Sequence, residues 1–120
     1  MSFEGYGPIV MDHFLNPRNT GEVRNATHSA MIRNPVCGDT VRLTARVEGG
    51  VIREARTRTF GCAAAIAASS ALTELITGKS MEEVRKLRNS EVVAFLGGLP
   101  EEKVVCSVIF ESLIGRTFPP

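Results

Sequence analysis

The segment from Val41 to Glu48 constrains the fold most, because apolar and polar side chains alternate along its whole length. Its apolar positions are Val41, Leu43, Ala45 and Val47. A period of two places these side chains on one face of a β-strand. Gly49 and Gly50 follow as a hairpin turn signal, so residues 51–60 are predicted to return as an antiparallel strand.

The hydrophobic period changes after Gly61, where residues 62–77 form an alanine-rich segment with strong helix propensity. Its helical stripe comprises Ala65, Ala68, Leu72 and Leu75, and Gly78 is placed to end the helix. Further helices are predicted over residues 8–15, from the Ser80–Glu83 capping box to about 87, from about 89 to the stop at 97–100, and from about 101 to about 114. Residues 26–33 are weakly extended. This order predicts an α+β fold with an antiparallel sheet covered by helices.

Length and composition exclude several classes of function. The 120 residues suit a single domain spanning 1–120. A net charge of +1, no Trp and one Tyr argue against nucleic-acid binding, which needs a basic face or a base-stacking surface. The longest apolar run, residues 62–68, is too short to cross a bilayer, and residues 1–5 lack a signal-peptide pattern. We therefore expect a cytoplasmic protein that binds neither membrane nor nucleic acid.

The cysteines Cys37, Cys62 and Cys106 each lie at a predicted junction between elements. Their odd number and the expected reducing compartment argue against a disulfide framework. No Cys-x-x-Cys occurs, which excludes a zinc ribbon or a thioredoxin-like motif. Positive partial charge at helix N-termini favours thiolates at Cys62 and Cys106.

Glycines and one carboxyl group accompany these cysteines. Gly38 and Gly61 are adjacent to Cys37 and Cys62, and glycine lets the backbone approach a bulky ligand. Asp39 follows Cys37 by two residues, so its carboxyl group can share the same site. The residues alone leave two alternatives open, because free cysteines are also common in protein cores. One is a metal site of three thiolates and one carboxylate, and the other is a set of core cysteines.

Four segments resemble the iron–sulfur cluster scaffold family, which comprises the IscU proteins and the N-terminal domain of NifU. They are Asp12–Gly21, Asn34–Asp39, Thr59–Ser70 and Leu99–Ser107. The resemblance covers nearly the whole chain in the right order. It implies a three-stranded antiparallel sheet with helices packed on one side.

The resemblance also implies a function. The chain would be a scaffold and not an enzyme, assembling a [2Fe–2S] or [4Fe–4S] cluster with sulfur delivered as persulfide by a cysteine desulfurase, and passing the cluster to acceptor apo-proteins. Cys37, Cys62 and Cys106 would be metal ligands, Asp39 the carboxylate of a labile site, and Cys106 the persulfide acceptor. Stable clusters usually have four thiolate ligands, so three thiolates and a weaker ligand favour release over storage.

The chain departs from the family pattern in the third cysteine motif. Val105 stands where the family commonly has a His before the cysteine, so the fourth ligand would be Asp39, a cysteine of a partner, or a residue of a second copy in a homodimer. The remaining histidines are not in this motif. We expect His13 to be structural and His28 to be solvated.

A second departure is the Glu101–Glu102 pair, where many relatives have Pro-Val in a motif recognised by a dedicated heat-shock chaperone. Two charges oppose docking in an apolar groove, so this chaperone is not an expected partner, and Lys103 is expected to be a solvated helix lysine. The sequence leaves two other functions open beside the scaffold. One is a module of the same fold that binds zinc or relays persulfide without building a cluster, and the other is an interaction domain with three core cysteines.

Overall fold

The sheet has three antiparallel strands in the order β1, β2, β3, with β1 at His28–Arg33, β2 at Thr40–Glu48 and β3 at Val51–Phe60. The computed structural model describes residues 5–120, apart from the side chains of Glu102, Val105 and Cys106. The hairpin predicted around Gly49 and Gly50 is confirmed, and both glycines have the positive φ angles, 60° and 76°, that a tight turn requires.

The helices are α1 (Pro8–Leu15), α2 (Ala63–Ile76), α3 (Met81–Arg85), α4 (Asn89–Phe95) and α5 (Ile109–Thr117), with a 3₁₀ segment at Glu101–Ser107 before α5. The predicted capping box is present at α3, where Ser80 Oγ accepts from the Glu83 N–H and the Glu83 side chain accepts from the Ser80 N–H. The α+β fold class, with three antiparallel strands and packed helices, is confirmed.

The helices lie on one face of the sheet. Cross-strand pairs such as Val41 with Thr59 and Leu43 with Thr57 share this core face. α2 packs against β3, and α5 packs against β1. The fully buried side chains that fill the space between the layers include Leu43, Ile52, Leu72, Ile76, Phe110 and Leu113.

Residues 16–27 connect α1 to β1 by crossing the other face of the sheet. The chain first runs beside the outer edge of β3, where the Thr57 N–H donates to the Asn19 carbonyl and the Gly21 N–H donates to the Thr57 carbonyl, each at 3.0 Å. It then passes over β2, and the Val23 N–H donates to Thr44 Oγ1 at 2.9 Å. Thr44 is therefore buried, although the alternation predicts only one buried face for this strand.

The last helix was predicted as one continuous element and is divided in the structure. The Lys103 N–H donates to the Pro100 carbonyl at 2.8 Å, which is a three-residue hydrogen bond of the 3₁₀ type. Ser107 Oγ donates back to the Val104 carbonyl at 2.7 Å, and this competes with α-helical continuation. The α-helix begins only at Ile109. Across the described residues, the structure has no helix with the length and apolar character that spanning a membrane would require.

Candidate functional site

Strand pairing brings two of the three cysteines together at one end of the sheet. Cys37 lies in the loop between β1 and β2, and Cys62 is the N-cap residue of α2 directly after β3. Thr40 pairs with Phe60 across β2 and β3, so the loop before β2 and the turn after β3 are neighbours. The predicted association of Cys37, Asp39 and Cys62 is present in the structure, although the two cysteines are 25 positions apart.

The Asp39 carboxyl group lies between the two sulfur atoms. Its Oδ2 atom accepts hydrogen bonds from Cys37 Sγ at 3.0 Å and from Cys62 Sγ at 3.5 Å. Its Oδ1 atom is 3.3 Å from the Cys62 backbone N–H, which donates to it. Asp39 is only 5% exposed, so these contacts hold the carboxyl group in place.

Gly61 is required by this arrangement because no side chain fits beside Asp39. A Cβ atom at Gly61 would lie 2.5 Å from both Cγ and Oδ1 of Asp39. The glycine therefore allows the turn between β3 and α2 to approach the carboxyl group closely. The close approach at Gly61 is to Asp39, and the expected approach of the backbone to a bulky ligand stays a prediction.

Asn34 organises the loop that carries Cys37. Its backbone N–H donates to the Asp39 carbonyl, its carbonyl accepts from the Gly38 N–H, and both distances are 2.7 Å. Its side-chain Oδ1 accepts from the Val36 N–H at 2.9 Å, and Gly38 has a φ angle of 77°. Asn34 is 1% exposed, so the loop is closed on a buried anchor while its tip projects outward.

The exposure of the cysteines argues against a purely core role. Cys37 is exposed, and Cys62 is half-buried beside Ala64 and Ala65. Val36, next to Cys37, is 74% exposed. Thiols at this position can meet a metal ion or another protein without any opening of the core.

Cys106 lies in the 3₁₀ segment, and its side chain lies outside the described residues. The backbone of this segment packs against α2. Its role as a ligand and persulfide acceptor stays a prediction. Among the described side chains, no group of three or more His, Cys, Asp or Glu residues forms a metal-holding geometry. Cys37 and Cys62 donate to Asp39 in this arrangement.

His13 is buried in an interface between α1 and α2 that the sequence alone did not predict. Its Nδ1 is 2.8 Å from Ser70 Oγ, and its Nε2 is 3.4 Å from Glu74 Oε1. Ser70 Oγ also accepts the Arg18 backbone N–H at 2.8 Å. Burial, followed by the charge of Arg18, lowers the pKa of His13, while Glu74 and Asp12 oppose this shift. These contacts agree with the structural role expected for His13.

Two smaller expectations need correction. His28 is half-buried rather than solvated, because its ring lies against the ring of Phe118 with centroids 5.6 Å apart. Lys103 is likewise half-buried, in the 3₁₀ segment and not in an α-helix. Sequence patterns gave no signal for the burial of either residue, because it depends on how α5 and the segment before it pack.

A family model described as "NifU-like N terminal domain" matches residues 5–117. The chain belongs to this family.

Relatives named as iron–sulfur cluster assembly scaffold proteins align with most of the chain. The iron–sulfur cluster assembly scaffold protein IscU 1 of Archaeoglobus fulgidus is 45% identical over 111 residues, covering 92% of this chain and 72% of the relative. IscU of Aquifex aeolicus is 45% identical over 109 residues, covering 89% of this chain and 69% of the relative. IscU of Escherichia coli is 40% identical over 113 residues, covering 91% of this chain and 88% of the relative.

Solved structures share the fold of this NifU-like family member. A putative iron–sulfur cluster assembly scaffold protein for the SUF system from Fervidobacterium islandicum superposes with a TM-score of 0.80 at 20% identity, over 98% of this chain and 99% of that one. The N-terminal part of a NifU-like protein from Brucella abortus superposes with a TM-score of 0.65 at 21% identity, over 92% of this chain and 78% of that one.

Proposed function

We propose that this protein is a scaffold on which iron and sulfide are assembled into an iron–sulfur cluster for transfer to other proteins. The observation that carries the proposal is the shared Asp39 Oδ2 atom, which lies 3.0 Å from Cys37 Sγ and 3.5 Å from Cys62 Sγ. The two accessible sulfur atoms are soft ligands suited to iron–sulfur chemistry, and the carboxyl oxygen beside them is a harder, weaker ligand. Membership of the NifU-like family and the scaffold names of relatives support the same function.

In this proposal the cluster is cargo. Thiolates of Cys37, Cys62 and Cys106 bind iron, and Asp39 is the weaker ligand at the labile position. When a thiol loses its proton on binding iron, Asp39 lies beside both sulfur atoms and can accept one proton, which it must pass to solvent before its carboxylate binds iron. The incomplete thiolate set favours release to an acceptor apo-protein, and the cluster is [2Fe–2S] or [4Fe–4S].

Sulfur arrives from a cysteine desulfurase as a persulfide. The Cys106 thiolate attacks the terminal sulfur of that persulfide, a new S–S bond forms, and the desulfurase cysteine leaves as a thiolate. This exchange is redox-neutral. The protein acts as a carrier in the cytoplasm, and a second copy or a partner's cysteine supplies the fourth ligand where Asp39 does not. The charges of Glu101 and Glu102 weaken docking in an apolar groove, so a dedicated heat-shock chaperone is not an expected partner.

The alternative of a zinc-binding or persulfide-relay module is not favoured. The relatives at 40–45% identity are named as cluster assembly scaffolds. The third possibility, an interaction domain with core cysteines, conflicts with the exposure of Cys37.

The proposal is tested by anaerobic assembly. The purified full chain is incubated with ferrous iron, L-cysteine, a cysteine desulfurase and dithiothreitol, which reduces the persulfide sulfur to sulfide, and iron, acid-labile sulfide and visible absorption are measured. We expect a brown protein with equal iron and sulfide that then activates an apo-ferredoxin. Colourless protein holding one zinc ion and no sulfide would contradict the scaffold and support the alternative.

A matched pair of variants separates ligand loss from loop damage. Cys37→Ser removes a sulfur atom, whereas Val36→Ser changes the exposed neighbouring side chain on the same loop. We expect the cluster to be lost in the first variant and kept in the second. Equal loss in both variants would point to disruption of the loop and not to loss of a ligand.

A further inference from the structure

A groove lies along the outer edge of β3, beside the sulfur site and outside it. It is formed by β3, by α2 and by the segment that follows α1, and its volume is about 340 Å³, in the range of small ligand sites. We call it the edge groove and define it by Arg18, Gly21, Thr59, Phe60, Ile66 and Ser69.

The edge groove contains a free strand edge. The outward N–H and C=O of Thr57 are bonded to Asn19 and Gly21. In an antiparallel strand, residues two apart direct their backbone groups to the same side, so those of Thr59 also point outward. Gly21, with a φ angle of 105°, turns the chain away from this edge, and Glu22 pairs with Arg42 on the sheet face opposite the helices. In the described structure no strand covers Thr59.

The edge groove also has an unused guanidinium donor. Arg18 Nη2 donates to Asp12 Oδ2 at 2.6 Å, but its Nη1 atom is buried and has no hydrogen-bond partner in the described structure. A buried guanidinium nitrogen without an acceptor favours a ligand that brings one. A carboxylate fits this requirement because it can accept from Arg18 while leaving the Asp12 contact intact.

Apolar surface completes the groove. Phe60 is 74% exposed at the end of β3, and Ile66 lines the wall formed by α2. The Ile66 N–H donates to the Cys62 carbonyl at 3.1 Å, so this wall begins one helical turn from Cys62. A ligand in the edge groove therefore lies next to the sulfur site.

We propose that the edge groove binds an extended, acidic peptide segment of a partner protein, which adds to β3 as a short strand at Thr59. Its main chain pairs with the free edge, one carboxylate pairs with Arg18, and an apolar side chain packs between Phe60 and Ile66. This mode gives affinity through the backbone and selectivity through the charge. The partner is thereby held beside Cys62 without occupying the cysteines.

The test uses the cluster-free full chain and two fluorescent peptides, Thr-Val-Glu-Val-Thr and the same peptide with Gln in place of Glu. Binding is measured by fluorescence anisotropy, and the site is mapped by NMR amide shifts. We expect saturable binding of the Glu peptide, at least about tenfold weaker binding of the Gln peptide, and shifts centred on Thr59 and Phe60. Methylation of single backbone nitrogens of the peptide should abolish binding only at every second residue, because in an added strand only alternate N–H groups face β3.

A matched pair of variants tests the charge. Arg18→Gln should lower the affinity for the Glu peptide by about tenfold and leave the affinity for the Gln peptide unchanged. Arg53→Gln removes an exposed arginine from the other end of β3 and should change neither. The N-methylated peptides keep the test valid if Arg18→Gln also loosens α1.

Four results would overturn the proposal. The first two are no saturable binding of the Glu peptide at millimolar concentration and equal affinity for both peptides. The third is amide shifts confined to the sheet face opposite the helices. The fourth is that amide shifts of the groove residues change with protein concentration in the absence of peptide. The last result would identify a second copy of the chain as the occupant.

Discussion

Replacing Gly61 by alanine tests whether close approach to Asp39 holds the site together. The added Cβ atom would lie 2.5 Å from Asp39 Cγ and 2.9 Å from Asp39 Cβ. Ordinary contact begins at 3.4 Å, so one group must move by about 0.9 Å. Asp39 cannot move without weakening its bonds to both thiols and to the Cys62 N–H.

The cost follows from two effects. Overpacking at a closed site costs about 1–3 kcal/mol, and a partly buried N–H that loses its acceptor costs about 1–3 kcal/mol. We expect Gly61→Ala to lower the free energy of unfolding of the cluster-free protein by about 2–6 kcal/mol, measured by urea denaturation. Gly115→Ala is the matched control, because a Cβ there meets nothing within 4 Å and alanine is the better helix former in α5.

A double-mutant cycle isolates the steric contact between Gly61 and Asp39. Asp39→Ala removes the two atoms at 2.5 Å and leaves only its Cβ near Gly61. Gly61→Ala should therefore cost at least about 1 kcal/mol less in the Asp39→Ala background than in the wild type. Additive effects, or a Gly61→Ala variant as stable as Gly115→Ala, would refute the steric argument.

Three further predictions concern the ligands and the buried histidine. Cys37→Ser, Cys62→Ser and Cys106→Ser should each abolish cluster retention, measured as iron and sulfide bound after gel filtration. Asp39→Ala should slow cluster loss, followed by visible absorption, because it removes the labile ligand or proton carrier. Because the folded protein lowers the pKa of His13, stability should fall as pH drops below about 6.5, by at most about 1.4 kcal/mol per pH unit, and His13→Gln should flatten this slope in urea titrations.

Each of these predictions has a contrary result. Full cluster retention in one cysteine variant would remove that cysteine from the ligand set. Faster cluster loss from Asp39→Ala would assign the carboxyl group a stabilising role. For the histidine the sign is fixed, since the unfolded chain binds the proton more readily than the folded one. A wild-type stability that rises on acidification from pH 6.5 would refute the burial argument.

Local patterns predicted most of the elements because each depends on neighbours in the chain. The alternation from Val41, the Gly49–Gly50 turn and the Ser80 capping box all appear where the sequence indicated them. The last helix is divided, although its apolar spacing predicts one element, because the Ser107 side chain donates to the Val104 carbonyl and apolar spacing does not show whether such a side-chain bond forms. His28 was misplaced because its contact with Phe118 joins β1 to the end of α5.

The sequence by itself determined the strand period, the helix stops and the presence of Cys37, Asp39 and Cys62 at junctions, since these follow from residue type and short spacing. The tertiary structure decided that the Asp39 carboxyl group lies between two sulfur atoms, that Gly61 must lack a side chain, and that Arg18 faces a groove with an unused donor. The physical reason is that such contacts join residues distant in the chain. Their geometry is set by strand register and helix packing, which no local pattern encodes.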